Sequence, residues 1–210
     1  MRSDRKKIFV ISVIILFCFL IVMGLGNYRA EQLAVNLTGE TVTRAVNIAK
    51  EGLNVQQLQE LIATLDPSHP YYKELQQQLT KIKTEHNLED IFIIYKDMKE
   101  VNWVHIIDTR DSTDPKHREL GERLKSGSVG AERAIRGKAA DGLYQGNYVS
   151  SYQGIKNPAG EIIAVIAGDY NAQSMTEFLY TTRYVQYGVM AVSILLLVLT
   201  LFVFSRKKTN

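Results

Sequence analysis

At 210 residues the chain has room for one ordinary domain and some additional segments. Its single cysteine, Cys18, excludes an intramolecular disulfide. The net charge of +3 sits at the ends: Arg2, Arg5, Lys6 and Lys7 against Asp4 give one tail +3, and Arg206, Lys207 and Lys208 give the other +3, which leaves −3 for residues 27–183. That distribution argues against a nucleic-acid-binding patch, which needs its cations on the folded domain.

Between the N-terminal tail (residues 1–7) and Asn27 runs an uncharged apolar stretch, 8–26 (IFVISVIILFCFLIVMGLG), and a second, 184–204 (YVQYGVMAVSILLLVLTLFVF), precedes the C-terminal tail (205–210). Each approaches the roughly 20 apolar residues that cross about 30 Å of hydrocarbon. Two transmembrane helices are therefore expected. The first exceeds the about 7 to 15 residues of a signal-peptide core and reads as a retained anchor. Phe17 stands before Cys18 where a lipoprotein signal needs a small residue, so Cys18 reads as lipid-facing. Short basic flanks stay in the cytoplasm. Both termini are thus placed inside the cell membrane and residues 27–183 outside it.

From Asn27 to about Lys50, apolar residues from Ala30 to Ala49 recur at intervals of three and four, which predicts a long helix continuing the first span. Asn54 is placed to cap a short helix (VQQLQELIATL), and Ser68, His69 and Pro70 open another (YYKELQQQLTKIKTEH). Asp90 to Lys96 and Val101 to Thr109 read as a strand hairpin, Arg110 to Arg123 as a polar loop, and Ala131 to Arg136 as a short helix. A second hairpin follows within Gly146 to Met175: Tyr148 to Ile155, a turn at Asn157, Pro158 and Gly160, then the apolar run Glu161 to Gly168, as expected of a central strand. A helix, Gln173 to Tyr187, leads into the second span. The fold class implied is α+β, an antiparallel sheet with helices on it.

Several of these residues resemble a known family. Ile94-Tyr95, the strand ending at Asp108, Leu120-Gly121-Glu122, Gly137, Ser151-Tyr152-Gln153-Gly154-Ile155-Lys156, Pro158-Ala159-Gly160 and Ile166-Ala167-Gly168-Asp169 together look like a Cache domain. Cache domains are PAS-like extracytoplasmic sensors of bacterial chemoreceptors, sensor kinases and diguanylate cyclases. The resemblance covers about Asn27 to Tyr187. Gly154 departs from the family's usual proline, and Asp169 directly follows Gly168. The resemblance implies a PAS-like antiparallel sheet, a bound small molecule and a signal passed through the second span. Such sensors are usually followed by an output module; here SRKKTN follows, so the expectation is of a separate signalling protein in the membrane.

Tyr148, Ser150 and Tyr152 share one face of their strand by period two, and Val165, Ala167 and Asp169 share a face of the next. Three hydroxyls and a carboxylate suit a small ligand bearing an amine or another donor. The competing reading makes the tyrosines sheet-covering aromatics and Asp169 a helix cap. Trp103 and His105 share a strand face with Ile107 and can wall the same pocket or simply pack. Tyr95 completes the candidate ligand-binding set.

Asp108, Asp111 and Asp114 lack calcium-loop spacing and read as a solvated loop. The four histidines, His69, His86, His105 and His117, show no zinc spacing. Arg118, Arg123, Lys125, Arg133, Arg136 and Lys138 can hold a carboxylate if they face the pocket, or form a solvated face. No nucleophile elbow, phosphate loop or catalytic carboxylate pair appears, so neither enzyme activity nor a cofactor is expected. Expected partners are a small molecule (amino acid, amine or carboxylate), membrane lipid and a second copy of the chain, with no nucleic acid. The rival function class is a structural or accessory membrane protein whose outer domain binds another envelope protein.

Overall fold

The computed structural model describes the backbone of residues 2–124, 127–138, 140–145 and 147–206, with side chains except at 2–9, 145, 174–176, 178, 197 and 200–206. Lys125, Gly146, Lys207 and Lys208, invoked above, lie outside the described residues. Two compact units emerge, one of Met1–Ala34 with Ser174–Asn210 and one of Val35–Gln173.

The second unit begins within α1 (Arg2–Glu51), a helix that meets no proline and stops before Gly52. Val42, Ala45, Val46 and Ala49 are fully buried, so the C-terminal part of the predicted stripe packs on its own domain, whereas Leu33, Leu37 and Ile48 stay exposed. In α2 (Val55–Thr64) the Asn54 carboxamide oxygen accepts from the Gln57 N–H at 3.2 Å, as the capping expectation required. Leu65 closes this helix in the left-handed region (φ 49°), donating to the Leu61 carbonyl. In α3 (Pro70–Glu85) the buried Tyr71, Leu75, Leu79 and Ile82 form one face. The Tyr71 hydroxyl accepts from the Asn54 N–H at 2.8 Å, tying the two helix starts together.

Six antiparallel strands follow: β1 (Asp90–Asp97), β2 (Asn102–Asp108), β3 (Arg123–Leu124), β4 (Ala140–Gln145), β5 (Tyr148–Lys156) and β6 (Ile162–Asn171), in the spatial order β3-β2-β1-β6-β5-β4. A short helix, α4 (Val129–Ala134), precedes β4. The α+β class and the antiparallel sheet are as expected. The apolar run of β6 is central, as predicted, because it pairs with both β1 and β5. In the β5–β6 turn the Asn157 N–H donates to the Glu161 carbonyl, and Gly160 takes the positive φ of 86° that the reversal needs.

The sheet separates two cores. Ile91, Ile93, Ile106, Ile107, Ile155, Ala164 and Ile166 pack with α1, α2 and α3 on one face. Ile94, Trp103, Tyr152, Val165 and Ala167 pack with Ala131 and Ala134 of α4 on the other. One expectation fails at a β-bulge. Ile93 pairs with Ile107 and Ile94 with His105, so Ile106 is an extra residue in β2. Ile107 consequently joins the helix-side core rather than the face of Trp103 and His105, and Asp108, opposite Phe92, turns to that face instead.

In the first unit, α1 from Val10 is long and apolar enough to cross a membrane by length and composition, and it is the only such helix among the described residues. The second expected span falls within α5 (Gln173–Arg206), where side chains at 197 and from 200 onward are outside the described set. Arg183 of α5 pairs with Glu31 of α1 at 2.5 Å and lies over the Tyr180 ring.

Candidate functional site

On the sheet face opposite α1–α3, a cleft of about 310 Å³ opens between the strands and residues 108–124, 127 and 128. Strand register creates its polar end. Asp90 stands opposite Asp169 across β1 and β6, and the bulge delivers Asp108 to the same face, so three carboxylates from three strands converge. The segment after β2 folds back because the His105 N–H donates to the Glu122 carbonyl (2.9 Å) and the Gly121 N–H to the His105 carbonyl (2.8 Å). Gly121 sits at φ 83°, a conformation glycine adopts without strain. This return brings Arg110, Lys116 and Arg118 to the cleft wall.

Arg110 is the hub. Its Nε lies 3.3 Å from Asp90 Oδ2 and its Nη2 3.5 Å from Asp169 Oδ2. Asp90 Oδ1 also accepts from the Thr109 hydroxyl (2.9 Å) and N–H (3.3 Å). Asp108 accepts from the N–H groups of Arg110 (2.8 Å) and Arg118 (2.9 Å), and Asp169 Oδ1 accepts from the Ser150 hydroxyl at 2.6 Å. Burial, reinforced by the nearby Asp108 charge, pushes the Asp90 carboxyl up to about 7. Burial also raises Asp169, and it lowers His105 to about 4, so this imidazole is neutral at ordinary pH. Burial opposes the Arg110 charge, but Asp90, Asp169 and Asp108 outweigh it and raise the guanidinium pKa.

The other end of the cleft is apolar. Phe92, Ile94, Leu124 and Tyr152 line it, with the Phe92 ring 5.7 Å from His105 and 6.3 Å, edge-on, from Tyr152. The segment leading into α4 covers Tyr152 and Trp103. A Cβ on Gly130 would lie 2.1 Å from the Tyr152 ring, and one on Gly127 2.3 Å from Trp103 Nε1, so both glycines are demanded by close approach. Glu132 fastens α4 to the sheet, accepting from Lys96 Nζ (2.7 and 2.9 Å) and from Trp103 Nε1 (3.0 Å). These bonds hold the Glu132 carboxyl below its ordinary pKa.

Of the candidate ligand-binding residues, His105, Tyr152 and Asp169 line the cleft. Ser150 supports Asp169 from within the sheet, and Trp103 is buried against Glu132. Tyr148 receives a hydrogen bond from Lys116 (2.7 Å), bracing the return segment. Tyr95 packs on the opposite face, with the helix-side core. Asp169 is not the cap of α5; the Asn171 carboxamide oxygen accepts from the Gln173 N–H instead. Asp90, Asp108, Arg110 and Lys116 were not among the candidates. Asp108 is buried rather than part of a solvated loop, whereas Asp111 and Asp114 do lie in polar turns bonded to Thr113 and Lys116. Arg123 pairs with Glu100, away from the cleft lining. Among the described residues no group of three or more acidic, histidine or cysteine side chains is arranged to hold a metal. Compared with known proteins, the chain matches no family model and no curated protein.

Proposed function

We propose that this chain is a membrane-anchored extracytoplasmic sensor of the Cache, PAS-like kind, which binds a small molecule in the cleft and passes a conformational change to a membrane partner through α5. In this reading two helices cross the cell membrane, both termini are cytoplasmic and the sheet domain lies outside. The observation that carries it is the position of Asp169: it lines the cleft, and only Tyr170, Asn171 and Ala172 separate it from the start of α5. A ligand that repositions Asp169 therefore acts on the chain immediately before α5. Such a ligand shifts the equilibrium only by its difference in affinity for the two states.

The test uses the full chain in lipid nanodiscs. Thermal stability is screened against amino acids, carboxylates and amines, and backbone hydrogen exchange is followed across residues 170–185 with any stabilising compound. Stabilisation accompanied by changed exchange there is expected, and Asp169→Asn should uncouple the exchange change from binding. A compound that binds without altering exchange in this segment removes the transmission step. Silence across the panel returns the outer domain to a structural role, docking on another envelope protein.

A further inference from the structure

The hydrogen-bonding ledger of the cleft is lopsided. Both oxygens of Asp90 and of Asp169 are engaged, by Thr109 and Ser150 on one side and by Arg110 on the other. Both oxygens of Asp108 accept backbone N–H groups. Each aspartate oxygen thus already has a protein partner, although a carboxylate oxygen can accept more than one hydrogen bond. Among the described residues two buried nitrogens are left without a hydrogen-bond partner, and both belong to cleft residues: His105 Nδ1 and Arg110 Nε, the latter in ionic contact only. His105 lines the cleft while being only 6% exposed.

We propose that the cleft takes a small organic anion, a carboxylate on an apolar body, with the carboxylate on the His105 Nδ1–H and the Arg110 guanidinium and the body against Phe92, Ile94 and Tyr152. This rests on the sensing reading above and narrows its ligand class. Neutral imidazole carries one N–H, and in the Nδ1-protonated tautomer it supplies a donor. Arg110 retains N–H groups beyond those aimed at Asp90 and Asp169, and a guanidinium is shaped for a carboxylate. Repulsion from three aspartates is the opposing effect. It is offset because Arg110, Lys116 and Arg118 line the same cleft, matching three negative charges with three positive. Rings such as Phe92 and Tyr152 favour a flat apolar body over an extended polar one.

Benzoate, benzylammonium and benzamide share one ring and differ in the charge of the head group, so they separate the possibilities. Each is titrated calorimetrically into the full chain in nanodiscs, with empty nanodiscs as the blank. Benzoate is expected to bind, about tenfold or more weaker in His105→Ala and restored in part by His105→Gln, which keeps an N–H donor. Far-UV circular dichroism and melting of both variants without ligand establish that they fold. If benzylammonium binds and benzoate does not, the anion assignment is overturned while the sensing reading stands. If benzamide equals benzoate, the charge plays no part and the assignment also fails. If none of the three binds, and the wider panel is silent, both readings fall together.

Discussion

Asp90 and His105 are buried within the same cleft and titrate in opposite senses. Asp90 binds its proton more tightly folded (about 7) than at its ordinary value of 3.8, so its stabilisation is complete below about 3.8 and is lost as pH rises through 7. His105 runs the other way: its pKa falls from 6.5 to about 4, and its stabilisation is present above 6.5 and lost as pH falls toward 4. Between 4 and 6.5 the two effects oppose each other, and above 6.5 the Asp90 carboxyl dominates; the upward shift of Asp169 has the same sign. Unfolding of the full chain in nanodiscs should therefore become easier from pH 6.5 to 8, by about 1 kcal/mol for Asp90 alone. Asp90→Asn should flatten that decline; a decline of unchanged steepness in the variant would exclude Asp90 as its source. Arg110 supplies the compensating charge, and its side chain is only 13% exposed. Arg110→Met leaves two buried carboxylates unpaired and should cost about 3–5 kcal/mol, partly recovered by adding Asp90→Asn. Equal melting of the single and double variants would show that the carboxylate charge is not what the guanidinium balances.

Helices and strands read from periodicity are those with long apolar stripes or explicit caps. The stripe ending at Ala49, the Asn54 cap and the alternation of β5 each reflect a local rule that tertiary packing did not override. What escaped are elements whose existence depends on neighbours. Strand β3 is two residues long and pairs through Trp103 and Val104 alone, and β4 contains Gly142 at φ 62° with an irregular register against β5. The bulge at Ile106 carries no composition signal, yet it decides that Asp108 rather than Ile107 reaches the cleft. The site was therefore legible at His105, Tyr152 and Asp169, which period two places correctly, and illegible at Asp90, whose partner lies 79 residues away across β6. Packing of α4 onto β5 is similarly invisible in sequence and sharply testable. Gly130→Ala pushes a methyl into the Tyr152 ring and should destabilise by about 1–3 kcal/mol. Combined with Tyr152→Leu, the substitution should cost much less, because the ring it meets is gone. Additive melting shifts in the double variant would place the strain elsewhere.

For the whole molecule, the decisive matter is whether α5 crosses the membrane as α1 is proposed to do. Charge favours it: each tail carries +3 and the intervening 157-residue segment, 27–183, carries −3, so placing both tails inside and the sheet domain outside satisfies the preference for cytoplasmic basic flanks at both ends. Aromatic placement agrees. Tyr28 near the outer end of the first apolar stretch, and Tyr180, Tyr184 and Tyr187 near the start of the second, are exposed tyrosines of the kind that settle at the headgroup level. In that topology the Glu31–Arg183 pair, next to these tyrosines in sequence, would not have to enter hydrocarbon. With Cys18→Ser removing the native thiol, single cysteines at Ser3, Ser112 and Thr209 report the topology to a membrane-impermeant maleimide. Ser112→Cys, in the exposed turn after β2, should label in intact cells. Ser3→Cys and Thr209→Cys should label only after permeabilisation. Labelling of Thr209→Cys in intact cells would leave one span, and α5 would then have no route for carrying a signal across the bilayer.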